Sequence, residues 1–264
     1  MASVEGPMAR TVTDVALMLD AMVGEHVVDP VSLSVPETSY VDCLKNIRKF
    51  GKVAYSPDLG QCPINSEVAE ICAKAAESFI EHCSGVEEDC FDLADGDEIF
   101  QIIRAAQFAA SHAPKLDTHK EMLKPEVIWN VEKGMNLTGG EIGWAHREQG
   151  ALYQRVVSFF EDYDLLLSPT VMIPPFDHTL RYVDEVNGVK FDNYIAWLAM
   201  TYLLTITACP TISVPCGFTK SGLPVGLQIM APNNREDLVL KAAHMFEQSH
   251  DYAKRVPVMP IVPS

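Results

Sequence analysis

The stretch TISVPCG, residues 211–217, holds two side chains able to attack a carbonyl carbon, the hydroxyl of Ser213 and the thiol of Cys216. Either nucleophile needs an activating neighbour, a base or a charge that lowers its pKa. Cys216, at the end of a strand-like run and before Gly217, has a position suited to that role. The simpler reading, a small apolar residue beside a buried strand, takes precedence. The serine elbow GxSxG is absent. The eight histidines are scattered, no CxxC pair occurs, and no spacing supports a metal site. His146, beside Arg147 and Glu148, reads as part of a solvated helix face. Gly139-Gly140 precedes a helix but lacks both GxGxxG and the P-loop pattern. Glu87-Glu88-Asp89 reads as a polar strand face rather than an acid/base pair. The residues alone define no complete catalytic constellation and no cofactor.

The elements that must position these groups follow from periodicity and turn chemistry. Thr11 caps a helix over 12–23, with an apolar stripe through Val12, Val15, Ala16, Leu19, Met22 and Val23 and a stop at Gly24. KVAYS, residues 52–56, predicts a buried strand ended by Pro57, Asp58 and Gly60. A helix follows over about 66–83, stopped by Gly85, and GVEEDC predicts a second strand. This strand–helix–strand unit favours parallel pairing. Helices are predicted over 97–111, 125–134 and 139–161, the last with Thr138 and Glu141 as a capping box. Asp164-Leu165-Leu166-Leu167 is the continuous apolar run of a strand buried on both faces. Asn187-Gly188 marks a hairpin. Residues 192–204 predict a buried helix, 211–214 and 225–230 two strands joined through Ser221-Gly222, and 236–247 a last helix. The tail, residues 251–264, is Pro-rich and expected to be extended. The predicted fold class is α/β, a mixed, mostly parallel sheet flanked by helices.

A formal net charge of −16 argues against binding to nucleic acid or an anionic membrane surface. No apolar run is long enough to span a bilayer, and no secretory signal is read at the N-terminus. Seven cysteines, an odd number without paired spacing, read as reduced thiols in a cytoplasmic protein.

Three stretches carry a resemblance: GPMARTVTDVALMLDAMVG, YDLLLSPTVMIPPF and ACPTISVPCGFTKSGLPVGLQIMAPNNREDLVLKAAHMFEQ. KVAYSPDLGQCPINSEVAEICAKAAESFIEH fits the same pattern between the first two. In order and spacing, from about residue 4 to about 247, the chain resembles the amidase signature family. The resemblance implies hydrolysis of carboxylic amides, or transfer of the released ammonia within a larger complex. It also implies a relay of a nucleophilic serine, a second serine in a cis peptide bond and a neutral lysine, with backbone N–H groups of a glycine-serine-rich loop as oxyanion hole. In the family those parts precede the GPMAR-like segment, and no stretch of that kind occurs in this sequence.

Residues 1–264 are therefore expected to be the C-terminal part of an amidase domain, inactive by itself, with no catalytic residue in this chain. Its partners would be a small-molecule amide once completed, and either the missing N-terminal amidase segment or a second copy. By resemblance, Thr201, Tyr202 and Thr205 line the acyl pocket, Arg10 braces a loop, and Gln228 satisfies backbone groups. Ala208 stands where many relatives carry Gly, and Thr205 where they often carry Asn. The alternative is a non-enzymatic interaction or regulatory protein on the same scaffold. If part of the fold lies elsewhere, Val15, Leu19 and Met22 should be more exposed than their periodicity suggests.

Overall fold

A run of three leucines has no polar face, so as a strand it must be covered on both sides. In the computed structural model, which describes residues 4–46, 48–250 and 252, that demand organises the chain. In order, the elements are α1 (Val12–Met22), α2 (Tyr40–Cys43), β1 (Phe50–Tyr55), α3 (Ser66–Glu77), β2 (Cys83–Glu88), α4 (Gly96–Thr118), α5 (Pro125–Met135) and α6 (Gly139–Asp162). There follow β3 (Leu165–Pro169), a small hairpin of β4 (Glu185–Val186) and β5 (Val189–Lys190), α7 (Ala199–Thr205), β6 (Thr211–Phe218), β7 (Pro224–Met230) and α8 (Glu236–Ser249). All five residues of β3 are buried.

The sheet order is β2-β1-β3-β7-β6. β1 pairs parallel with both β2 and β3, whereas β7 pairs antiparallel with β3 and with β6. Four of the five strands therefore share one direction and β7 alone is reversed. The reversal follows from the tight connection to β6, which closes through Gly222 at φ +84°. Alternate residues of the central strands feed two cores. Val53, Leu165, Leu167, Leu227 and Ile229 face α1, α3 and α8. Ala54, Leu166 and Met230 face α4, α6 and α7. The result is a helix–sheet–helix sandwich.

Local chemistry sets the element ends. The Thr138–Glu141 capping box forms, with Glu141 N donating to Thr138 Oγ1 at 3.2 Å and Thr138 N donating to the Glu141 carboxylate at 2.7 Å. Asn187 (φ +51°) and Gly188 (φ +81°) make the expected hairpin turn. Three expectations need correction. The helix from Ser66 ends at Glu77, a 3₁₀ turn occupies Ser78–Glu81, and the strand already starts at Cys83, so Gly85 lies inside β2. The next helix runs on to Thr118 with Pro114 in its last turns. Residues 192–204 give a 3₁₀ turn, Ala196–Leu198, and the seven residues of α7, because the Asn193 side chain accepts from Ile195 N and Ala196 N and caps a late start. Of the tail, only Tyr252 lies within the described residues.

The α1 stripe meets its expectation at Met22, whereas Val15 and Leu19 pack partly buried against the core. Val12 and Ala16 are buried, Val15 and Leu19 are half-buried, and Met22 is 50% exposed. Among the described residues, no helix is long and apolar enough to cross a membrane.

α4 and α5 cross in contact at Gly134, where an added Cβ would lie 2.0 Å from the Ala105 carbonyl oxygen. That atom is helix backbone and cannot move aside, so Gly134→Ala should cost about 3 kcal/mol. The midpoint of urea denaturation measures it.

Candidate functional site: the mouth of strands β3, β7 and β6

The site begins with one buried amide. Gln228 in β7 lies in register with Ser168 of β3 and Ser213 of β6. Its Nε2 donates to the carbonyls of Pro169 (3.1 Å) and Met200 (3.0 Å), with Ser168 Oγ at 3.4 Å. A buried carbonyl without a donor is costly, so this side chain joins the end of β3 to the start of α7. Two residues earlier in β7, Gly226 lies between the hydroxyls of Thr170 and Ser213, which are 2.6 Å apart. A Cβ on Gly226 would stand 2.8 Å from each of those oxygens. The exposed hydroxyl pair opens on a groove of about 570 Å³, walled by residues 7–12, by β6, and by Thr170 and Val171.

α7 is held from behind by α4. Tyr202 is 5% exposed and stacks on Phe100 with ring centroids 4.0 Å apart, while its hydroxyl donates to Asp97. Burial first, then the Asp97 hydrogen bond, pushes the phenol far above its ordinary pKa. Eight residues earlier, the Tyr194 hydroxyl accepts from Arg104 Nη2 (2.9 Å) and from Asn130 Nδ2. The Arg104 guanidinium also lies 4.5 Å from the centre of the Phe108 ring. The segment carrying the sequence-derived pocket residues is thus fixed at both ends. Thr201 and Thr205 are half-buried, and their hydroxyls donate to the carbonyls of Leu198 (2.7 Å) and Thr201 (3.1 Å). Tyr202 points the other way, into the core.

The remaining candidates are placed as follows. Cys216 is 4% exposed, at a bulge in β6, and its thiol lies 3.9 Å from that of Cys72, its hydrogen-bond partner among the described residues. That contact and burial hold the Cys72 thiol far above its usual pKa. An enclosed thiol with no base beside it has the structural character the simpler reading gave it. Glu87 and Asp89 both accept from the Tyr163 hydroxyl, and Glu87 also pairs with Lys52 at 2.8 Å, which holds its carboxyl below the ordinary range. His146 is exposed. Arg10 is exposed on the groove wall and, among the described residues, makes no ion pair or hydrogen bond that would brace a loop. Among the described residues no cluster of three or more His, Cys, Asp or Glu side chains forms a metal site. Sequence reasoning missed Arg104, Asn130 and Tyr194, because contacts across 64 and 90 residues leave no local pattern.

The fold defines a class: a two-faced α/β sandwich with a groove where the reversed strand meets its neighbours. The family model for amidases matches residues 1–240. The chain belongs to the amidase family. It is 34% identical to an acylamidase of Rhodococcus erythropolis over 261 residues, which cover 97% of this chain and 54% of the relative. It is 28% identical to a glutamyl-tRNA(Gln) amidotransferase chain of Streptococcus pneumoniae, covering 96% of this chain and 56% of that one. The fold matches a bacterial aryl acylamidase of the amidase signature enzymes, with TM-score 0.83, 23% identity, and coverage of 94% and 53%. It also matches 6-aminohexanoate cyclic dimer hydrolase with TM-score 0.81, 21% identity, and coverage of 94% and 55%. The chain thus spans about half the length of the relatives it matches.

Two substitutions test the site's mechanics. Gln228→Leu strands the Met200 and Pro169 carbonyls and should cost about 1–3 kcal/mol. Amide hydrogen exchange should then quicken across Ala199–Thr205 more than across α6. Ala208 adopts φ +58°, a left-handed conformation that strains a side chain. Ala208→Gly should raise stability by about 1 kcal/mol, read from the same denaturation midpoint.

Proposed function

We propose that this chain supplies the pocket-forming part of an amidase-signature hydrolase acting on the C–N bond of small carboxylic amides. In this reading residues 1–264 are the C-terminal part of the domain. The nucleophilic serine, cis-serine and lysine come from polypeptide outside this sequence. One observation carries the reading: the family match covers nearly the whole chain, yet neither Ser213 nor Cys216, the two candidate nucleophiles of β6, has a base at hydrogen-bond distance among the described residues. Among the described residues the Ser213 hydroxyl hydrogen-bonds to Thr170 and the Cys216 thiol to that of Cys72.

The reading assigns the following roles. In this reading the half-buried Thr201 and Thr205 line the acyl pocket, and Tyr202 holds α7 in place from the core side. Gln228 keeps α7 at a fixed height above the end of β3. The Thr170–Ser213 pair sits at the mouth, where a loop bearing backbone donors would meet the substrate carbonyl. We place the protein in the cytoplasm, in keeping with seven unpaired cysteines.

Turnover of an aryl and an aliphatic amide tests the proposal. The pure 264-residue chain should release no amine above background. Mixed with the remaining segment of an amidase-signature domain, it should turn over, and Thr201→Val with Thr205→Val should change the ratio of kcat/KM between the two substrates by about tenfold. Turnover by the chain alone, abolished by Cys216→Ala, would overturn the reading in favour of thiol chemistry.

A further inference from the structure

Residues 4–35 expose large apolar side chains at a far higher density than the rest of the described chain. Ten of the twenty large hydrophobic side chains exposed among the described residues fall within that stretch. Val27 is 98% exposed and Met8 92%, and Leu17, Met18, Val28 and Leu33 join them. Single exposed hydrophobics are ordinary, but a concentration of this kind marks a contact surface. It has a structural cause. α1 turns Val12 and Ala16 inward and is anchored to α8, with Val12 N donating to Glu247 Oε1 at 3.0 Å, so Leu17 and Met18 are left outward.

The band is continuous with the groove. Residues 7–12 form one wall of the 570 Å³ space, and β6 forms another. β6 is an edge strand that pairs only with β7 among the described residues, and Thr211, Ser213 and Pro215 along it are exposed. Pro215 and the bulge at Pro215/Gly217 blunt its far end, which leaves Thr211–Val214 as the free run.

We infer that residues 4–35, the groove and the free run of β6 form one docking face, and that its occupant is the complementary part of an amidase-signature fold rather than a second copy. The inference rests on the functional reading above. Charge discriminates between the two occupants. Residues 4–35 carry five carboxylates (Glu5, Asp14, Asp20, Glu25 and Asp29) against one arginine, Arg10. A second copy would set this acidic rim against itself, on two chains of net charge −16 each. An anionic lipid surface would be repelled in the same way. The face fits a polypeptide with an apolar centre, a rim rich in Lys and Arg, and an extended segment able to lie along β6. Length agrees, since relatives that match almost all of this chain are about twice as long.

The test titrates this chain with the part of the Rhodococcus erythropolis acylamidase that lies outside the matched region, reading mass by light scattering and affinity by calorimetry. A one-to-one complex is expected, weakened by salt. Leu17→Gln with Met18→Gln, and separately Val28→Gln with Leu33→Gln, should each weaken it at least about tenfold. Ile80→Gln and Met122→Gln, exposed positions outside the band, should leave it unchanged, and circular dichroism confirms that each variant folds. Bis-ANS fluorescence of the chain should fall on complex formation. Failure to bind overturns the inference, as do band variants that bind like the parent. A concentration-dependent dimer of this chain that the band variants abolish overturns it too. Amide turnover is measured in the same mixtures: binding without turnover sinks the functional reading and leaves the docking face standing, and turnover undiminished by the band variants does the reverse.

Discussion

A strand buried on both faces admits no polar atom without a partner, and β3 is such a strand. Its three leucines divide between the two cores, Leu165 and Leu167 to one side and Leu166 to the other. Its last two residues are the difficulty, because Pro169 presents a carbonyl and Ser168 a hydroxyl in a place that water does not reach. The Gln228 amide meets both and takes the Met200 carbonyl as well. One side chain thereby couples strand register to helix position. The height of α7 over the sheet depends on it, and so does everything α7 presents.

α4 completes that constraint from the other side. Its first two turns hold Tyr202 through Asp97 and Phe100, and its third turn holds Tyr194 through Arg104. α5 adds Asn130 to the same hydroxyl and approaches α4 closely at Gly134. A short helix has little stability of its own. α7 has only seven residues, and its order comes from these grips rather than from propensity.

Much of this was legible in the sequence because it is local. Asp164 to Leu167 announced the central strand, Thr138 and Glu141 the start of α6, and Asn187-Gly188 the small hairpin. Each signal is a pattern within four residues. The errors fall where tertiary packing overrode a local stop. Gly85 reads as a helix terminator, yet the parallel ladder to β1 claims it, with Lys52 opposite. The helix predicted over 97–111 runs on to Thr118, and Pro114 falls late enough in α4 for the helix to absorb it. Of the site, the resemblance supplied Gln228 and the α7 positions. It could not supply the orientation of Tyr202, because a one-residue step on a helix turns a side chain by about 100° and only the facing Phe100 decides which side is inward.

The glycine between the two mouth hydroxyls has a consequence for how such a protein diversifies. Position 226 is closed to any side chain while Thr170 and Ser213 keep their contact. Gln228 is closed as well, since three acceptors depend on it. Thr201 and Thr205 are different, for their hydroxyls bond only to carbonyls of their own chain one turn back. Either can be exchanged without stranding a distant partner. Drift in sequence is therefore channelled onto one short helix face, while the hydroxyl pair and the buried amide stay fixed, and that face can change without renegotiating the fold.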